Sequence, residues 1–144
     1  MLNGGEYCPY VFIRFVIKYY LCIVMNIEDL RAFCLSFPAT EERLPFNPDY
    51  LVFFVYDKMF CLIDITDPHD INLKCAPERA IELRERYADV TPGYHMSKKH
   101  WNTVRIDGSL PDSLIKEWIT DSYNLVVMGL PQKVRRELSA YRNQ

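Results

Sequence analysis

The middle of the chain constrains the fold most, because it holds three short runs of β-favouring residues with no room for a helix between them. The runs cover residues 51–56, 59–66 and 71–75. Tight turns at residues 57–58 and 67–70 separate them. Strands joined by such short connections pair in antiparallel fashion, since a parallel pair needs a crossover of about a dozen residues or more. The sequence therefore predicts an antiparallel meander.

Helical patterns flank this meander. Ile27, Leu30 and Cys34 recur at the spacing of one helix face, and the proline at position 38 ends that helix. The next segment, residues 38–50, contains three prolines and predicts a loop. Prolines at positions 77, 111 and 131 each begin a further helix, because proline fits the first helical turn. The chain therefore holds four predicted helices.

Two more strands are predicted between the second and third helices, over residues 94–96 and 100–106, with a turn at residues 97–99. The element order is then α–βββ–α–ββ–α–α. Strands that follow one another in runs indicate an α+β fold, in which helices pack on one face of a single antiparallel sheet. The sequence has neither a βαβ alternation nor a glycine-rich phosphate loop, which disfavours the common nucleotide-binding folds.

The first 24 residues differ from the rest of the chain. Their apolar stretch approaches the length of about 20 residues that a membrane helix needs, but Arg14 and Lys18 lie within it. We interpret residues 1–24 as an extension from an early start codon; an extra packing element and a membrane anchor are the alternatives. Residues 25–144 then form one domain, with no membrane partner expected.

The charge is unevenly distributed. The formal net charge is -2, which excludes nucleic-acid binding by bulk positive charge alone. Residues 25–74 contain nine acidic and four basic side chains, whereas residues 75–144 contain nine acidic and eleven basic ones. The five cysteines are odd in number and form no C-x-x-C pair, which indicates free thiols and a cytoplasmic protein.

Residues 92–104 mix basic and aromatic side chains around the last predicted turn. Lysines neutralise phosphates, and aromatic rings stack on bases, so this mixture is typical of a nucleic-acid contact. Aromatic rings with a few polar groups also suit a protein- or small-ligand-binding groove, which is the alternative. With the adjoining hairpin and strand included, the candidate residues are Lys58, Tyr94, His95, Lys98, Lys99, His100, Trp101 and Arg105.

No spacing in the chain specifies a metal site. His95 and His100 are five residues apart, and the acidic residues around His69 follow no metal-ligand pattern, so we predict no metal and no cofactor. Nucleophile motifs such as G-x-S-x-G are absent from the sequence. An enzyme that uses one of these two histidines as a general base remains a further alternative.

From Met25 to about Tyr141 the chain resembles the MmcQ/YjbR-like family of small, largely uncharacterised bacterial proteins. The resemblance covers about four fifths of the chain, with the motifs in the family's order. The matching pieces are residues 35–38 (LSFP), 45–46 (PF), 58–60 (KMF), 72–75 (NLKC), 77–78 (PE), 92–96 (PGYHM), 98–104 (KKHWNTV) and 121–126 (DSYNLV).

This resemblance implies an α+β fold similar to the bacterial frataxin-like (CyaY-like) architecture. It also implies duplex DNA binding through paired β-hairpin wings, with Lys58 in one wing and Lys98 and Lys99 in the other. Arg105 would support them from the adjacent strand, and such phosphate contacts predict weak, salt-sensitive, shape-led binding. Frataxin-like iron binding does not carry over, because the first helix offers only two acidic residues.

Overall fold

The computed structural model describes residues 25–143, and the interpretation of residues 1–24 as an extension lies outside this range. A helix-rich layer and one sheet make up the described chain. The helices are α1 (Ile27–Leu35), α2 (Pro77–Arg86), α3 (Asp112–Met128) and α4 (Gln132–Arg142). The strands are β1 (Thr40–Arg43), β2 (Tyr50–Val55), β3 (Lys58–Asp64), β4 (Asp70–Lys74), β5 (Val90–Pro92) and β6 (Trp101–Arg105).

All six strands join one antiparallel sheet in the order β1-β2-β3-β4-β6-β5. The predicted meander of β2, β3 and β4 is present, and β6 extends it by pairing with β4. The α+β class is therefore confirmed. No helix within residues 25–143 has both the length and the hydropathy needed to cross a bilayer.

Two strand predictions were wrong. Residues 40–43 form the edge strand β1 instead of belonging to a loop, and their polar side chains suit an edge that pairs on one side only. The strand predicted at residues 94–96 lies instead at Val90–Pro92. Proline is tolerated there because β5 is the other edge strand and needs no further ladder partner. Residues 93–100 are consequently a loop, not the tip of a tight hairpin.

The main core lies between the sheet and the helices. Phe60 is fully buried there, and its ring meets those of Phe37 and Tyr123 edge to face. A register shift in the β2–β3 pairing leaves Phe60 as an extra residue of β3, so that both Phe60 and Cys61 are buried. Such a bulge interrupts the hydrogen-bond ladder between the strands. Ser122 of α3 provides a partner for the bulged residue by donating its hydroxyl to the Phe60 carbonyl oxygen over 2.5 Å.

The opposite face of the sheet carries a smaller apolar cluster. Val52, Phe54 and Leu62 are buried there, with Tyr50 and Met59 packed around them. This cluster contains no helical residue, so we call this side the open face. Two loops, residues 44–49 and residues 93–100, provide its partial cover.

Candidate binding site on the open face of the sheet

The loop of residues 93–100 is fixed at its base. Gly93 donates its N–H to the Trp101 carbonyl over 2.9 Å, and a Cβ at position 93 would come within 2.8 Å of the Trp101 Cβ. Glycine is therefore required by this close approach. Arg84 of α2 donates to the Lys98 and Trp101 carbonyls, and to Asn102 Oδ1 over 2.7 Å. The loop is thus held from the helix side and from β6.

A groove of about 420 Å³ lies on the open face between the two loops. Phe46 stands on one side and Tyr94 on the other, with 62% and 65% of their surfaces exposed. The ring of His95 lies against that of Tyr94, with centroids 3.9 Å apart. This volume lies within the range of small-molecule sites, and the aromatic walls are typical of them. The lining residues are Phe46, Asn47, Tyr50, Leu62, Asn72, Tyr94, His95 and Met96.

The floor of the groove holds an oriented hydrogen-bond donor. Thr103 donates its hydroxyl to Asn72 Oδ1 over 2.7 Å, and the same hydroxyl oxygen accepts the Tyr94 N–H over 2.9 Å. These bonds favour the orientation in which the Asn72 amide oxygen faces Thr103, because the opposite orientation would leave the Thr103 hydroxyl hydrogen without this acceptor. Its Nδ2 has no acceptor among residues 25–143, and Asn72 lines the groove. The amide therefore offers two N–H groups to an occupant.

Four lysines gather at one end of the sheet. Lys58 begins β3, Lys74 ends β4 opposite Trp101, and Lys98 and Lys99 immediately precede β6. Within residues 25–143, none of the four has a carboxylate within 4.0 Å. Lys98 Nζ reaches only the Gly93 carbonyl, at 3.3 Å. We call Lys58, Lys74, Lys98 and Lys99 the basic end.

The other end of the strands is acidic. Arg105 lies there opposite Asp70. The length of β6 separates it from Lys98 and Lys99. Arg105 donates to Asp107 over 2.8 Å, and this hydrogen bond raises the pKa of the guanidinium. His69 lies between Asp67 and Asp107, at 3.0 and 2.5 Å. We call the carboxylates collected here the acidic end: Asp64, Asp67, Asp70, Asp89 and Asp107.

The groove and the basic end both lie within the part of the chain that matches a known protein family. A family model described as YjbR matches residues 35–125, which is more than half of the chain. The chain belongs to the YjbR family. YjbR of Escherichia coli (strain K12) is 35% identical to it over 115 residues, covering 79% of this chain and 98% of the relative. YbdF of Escherichia coli O157:H7 is 34% identical over 112 residues, covering 77% and 92%.

Solved structures agree with the YjbR-family fold. The crystal structure of Deinococcus radiodurans protein DR2400, a DUF419 domain, superposes with a TM-score of 0.74 at 39% identity. That superposition covers 81% of this chain and 89% of the other. A Pseudomonas syringae protein gives a TM-score of 0.60 at 32% identity, covering 70% and 98%. The chain therefore shares its fold with these two solved proteins, and that fold is compatible with the CyaY-like architecture.

The predicted site residues of this YjbR-family chain separate into four places. Tyr94 and His95 line the groove, whereas Trp101 is 8% exposed and lies at the base of the loop. Lys58, Lys98 and Lys99 share the basic end, with the exposed His100 beside them. Arg105 belongs to the acidic end. Within residues 25–143 no three His, Cys, Asp or Glu side chains are grouped as metal ligands.

Residues that the functional reasoning missed complete the groove. Asn72 supplies its polar floor and is hydrogen-bonded by Thr103, and Phe46 supplies its second aromatic wall. The signal for Asn72 is its place in the alternation of β4, where Ile71 and Leu73 face the core and the residues between and beside them face the other way. The signal for Phe46 is that a large aromatic residue occurs in a predicted loop, outside any helix or strand that would carry it into the core.

Cys61, Cys75 and Ser122 do not form a nucleophilic site. A hydrogen bond with Cys34, together with burial, raises the pKa of the Cys61 thiol, and burial raises that of Cys75. Both thiols are therefore protonated at neutral pH, and the thiol form is a poor nucleophile. The Ser122 hydroxyl is engaged by backbone groups of β3 and β4.

Proposed function

We propose that the protein binds duplex DNA through its basic end, by phosphate contacts that do not read the base sequence. The observation that carries the proposal is the set of four lysines with no carboxylate partner among the described residues. A lysine without an ion pair is free to neutralise a phosphate and release its counterion. DNA binding would place the protein in the cytoplasm.

The spacing of the lysines supports contact with more than one phosphate. Lys58 belongs to β3, whereas Lys98 and Lys99 lead into β6, and β4 lies between these strands. Two inter-strand spacings separate the two groups by about 10 Å. Lys58 lies just beyond the hairpin turn at Tyr56 and Asp57, which both have positive φ and so form a tight turn matched to the sheet twist.

The acidic end limits how DNA would approach. Its carboxylates repel phosphates, so a polyanion that contacts the sheet is directed towards the basic end and the adjoining open face. Ala76 and α2 lie behind the lysines, on the covered face of the sheet. No helix of the described chain therefore lies beside the lysines in a position to enter a DNA groove and contact the bases. Weak, shape-led binding with a dissociation constant of about 10⁻⁴–10⁻⁶ M at physiological salt is therefore expected.

A salt series with a fluorescently labelled duplex tests this proposal. Between about 50 and 200 mM salt, contacts with three or four phosphates give a slope of log affinity against log salt of about -3 to -4. The double variant Lys98→Glu/Lys99→Glu should reduce the magnitude of that slope by about 2. Anisotropy measures both quantities.

The matched control carries the same change of net charge on α4. Lys133→Glu/Arg136→Glu alters two exposed basic residues of that helix, whose Leu138 packs into the main core on the covered face, and should leave the slope almost unchanged. Absence of binding by the wild type at the lowest salt, or equal losses in the two double variants, would refute the proposal.

A further inference from the structure

We infer that the groove on the open face holds one unpaired nucleobase, with the phosphates of the same strand directed to the basic end. This inference rests on the proposed function and adds to it a preference for single-stranded or unpaired nucleotides. Nothing in the phosphate contacts alone requires such a preference, because lysines neutralise paired and unpaired strands alike.

The walls of the groove match the faces of a base. Phe46 and Tyr94 approach it from loops that begin at opposite ends of the sheet, and both rings are more than half exposed. Large exposed rings that face a common space are typical of a binding site and not of scattered surface residues. Every base has a flat face that stacks on an aromatic ring, so the walls do not require a particular sequence.

The floor of the groove matches the edge of a base. The Asn72 Nδ2 group donates, and unpaired bases present ring nitrogens and carbonyl oxygens that accept. The bond from Thr103 holds this donor in place before an occupant arrives. A paired base already uses most of its edge and lies inside the stack, so a duplex cannot enter without extruding a nucleotide.

Charge along β4 fixes the direction in which a nucleotide lies. Lys74 is two residues from Asn72 towards the basic end, and Asp70 is two residues from it towards the acidic end. All three share the open face, with about 7 Å between successive members. A phosphate at the Lys74 side is attracted, whereas a phosphate at the Asp70 side meets the carboxylates of the acidic end.

The size of the groove limits the occupant to one nucleotide. A volume of about 420 Å³ is near the lower limit of ordinary ligand sites, so it suits a single nucleotide and not a stack of several. The neighbouring phosphates of a longer strand would then extend past Lys98 and Lys99. Base stacking in the groove and phosphate contacts at the basic end therefore contribute separately to affinity.

An abasic oligonucleotide separates these two contributions, because it keeps the phosphates and lacks the bases. Labelled oligothymidylate should bind the wild type about ten-fold or more tightly than an abasic strand of equal length. Tyr94→Ala and Phe46→Ala should remove most of that difference and leave the affinity for the abasic strand unchanged. Tyr141→Ala is the matched control, since Tyr141 on α4 is also 65% exposed.

The outcomes distinguish the two proposals. Equal, salt-dependent binding of both strands overturns the base site and leaves the phosphate contacts standing. No binding of either strand or of the duplex overturns both, and favours a groove for a planar small molecule with no nucleic-acid role. Loss of the base preference in Tyr141→Ala as well as in Tyr94→Ala overturns the assignment of the groove.

Discussion

The two faces of the sheet use aromatic residues in opposite ways. On the covered face, Phe60 and Tyr123 are almost completely buried and contact one another through their ring edges. On the open face, Phe46 and Tyr94 expose most of their surface to a shared groove. Burial of a ring stabilises the fold, whereas an exposed ring contributes little until something covers it. The covered face therefore determines stability, and the open face is available for binding.

Truncating one ring on each face gives the largest expected contrast. Phe60→Ala should lower the free energy of unfolding by about 3–5 kcal/mol, because it removes a buried ring from the core and leaves a cavity. Phe46→Ala should change it by no more than about 0.5 kcal/mol. Urea denaturation followed by circular dichroism measures both, and similar losses in the two variants would contradict the division between the faces.

Ser122 tests the polar part of the covered face. Its hydroxyl donates to the Phe60 carbonyl over 2.5 Å and accepts the Lys74 N–H over 2.8 Å. Ser122→Ala leaves both backbone groups without a partner in the core and should cost about 1–3 kcal/mol. Ser139→Ala, in the exposed face of α4, is the control and should be nearly neutral. Equal effects would mean that the bulge at Phe60 needs no support from α3.

The acidic end provides the smallest effect, which depends on pH. Hydrogen bonds from the Ser109 hydroxyl and backbone N–H lower the pKa of Asp89. Because the folded pKa lies below the unfolded one, this stabilisation is present above about pH 4 and is lost as the pH falls through the folded value. Ser109→Ala should raise the pKa of Asp89, which a carboxyl NMR titration measures directly. An unchanged titration would show that the hydroxyl does not contribute.

The meander could be predicted from the sequence because its strands are apolar and its turns are short. β1 could not, since its four residues are polar and its place in the sheet depends on pairing with β2. The position of β5 could not be predicted either. Val90 is buried but Thr91 and Pro92 are exposed, so no alternation of apolar and polar residues marks the strand. Edge strands are determined by their neighbours more than by their own residues.

The composition of residues 93–100 is enough to single out this loop as a candidate site. It does not predict that the candidate residues in and after the loop lie in different parts of the fold. Trp101 follows Lys99 closely in sequence, yet the pairing of β6 with β4 places it beneath the loop. Arg105 is near Trp101 in sequence and lies at the other end of the strand. The donor on Asn72 depends on Thr103, which is 31 residues away, so no local pattern reveals it.

The opposite charges at the two ends of the strands give the molecule an electric dipole along the strand direction. In the field of a polyanion such a dipole experiences a torque that turns the lysines forward before contact. The fraction of collisions that arrive in a productive orientation rises, and with it the association rate constant. Salt shortens the range of this field to about 8 Å at physiological ionic strength, so the orientation develops only in the last few layers of water before contact.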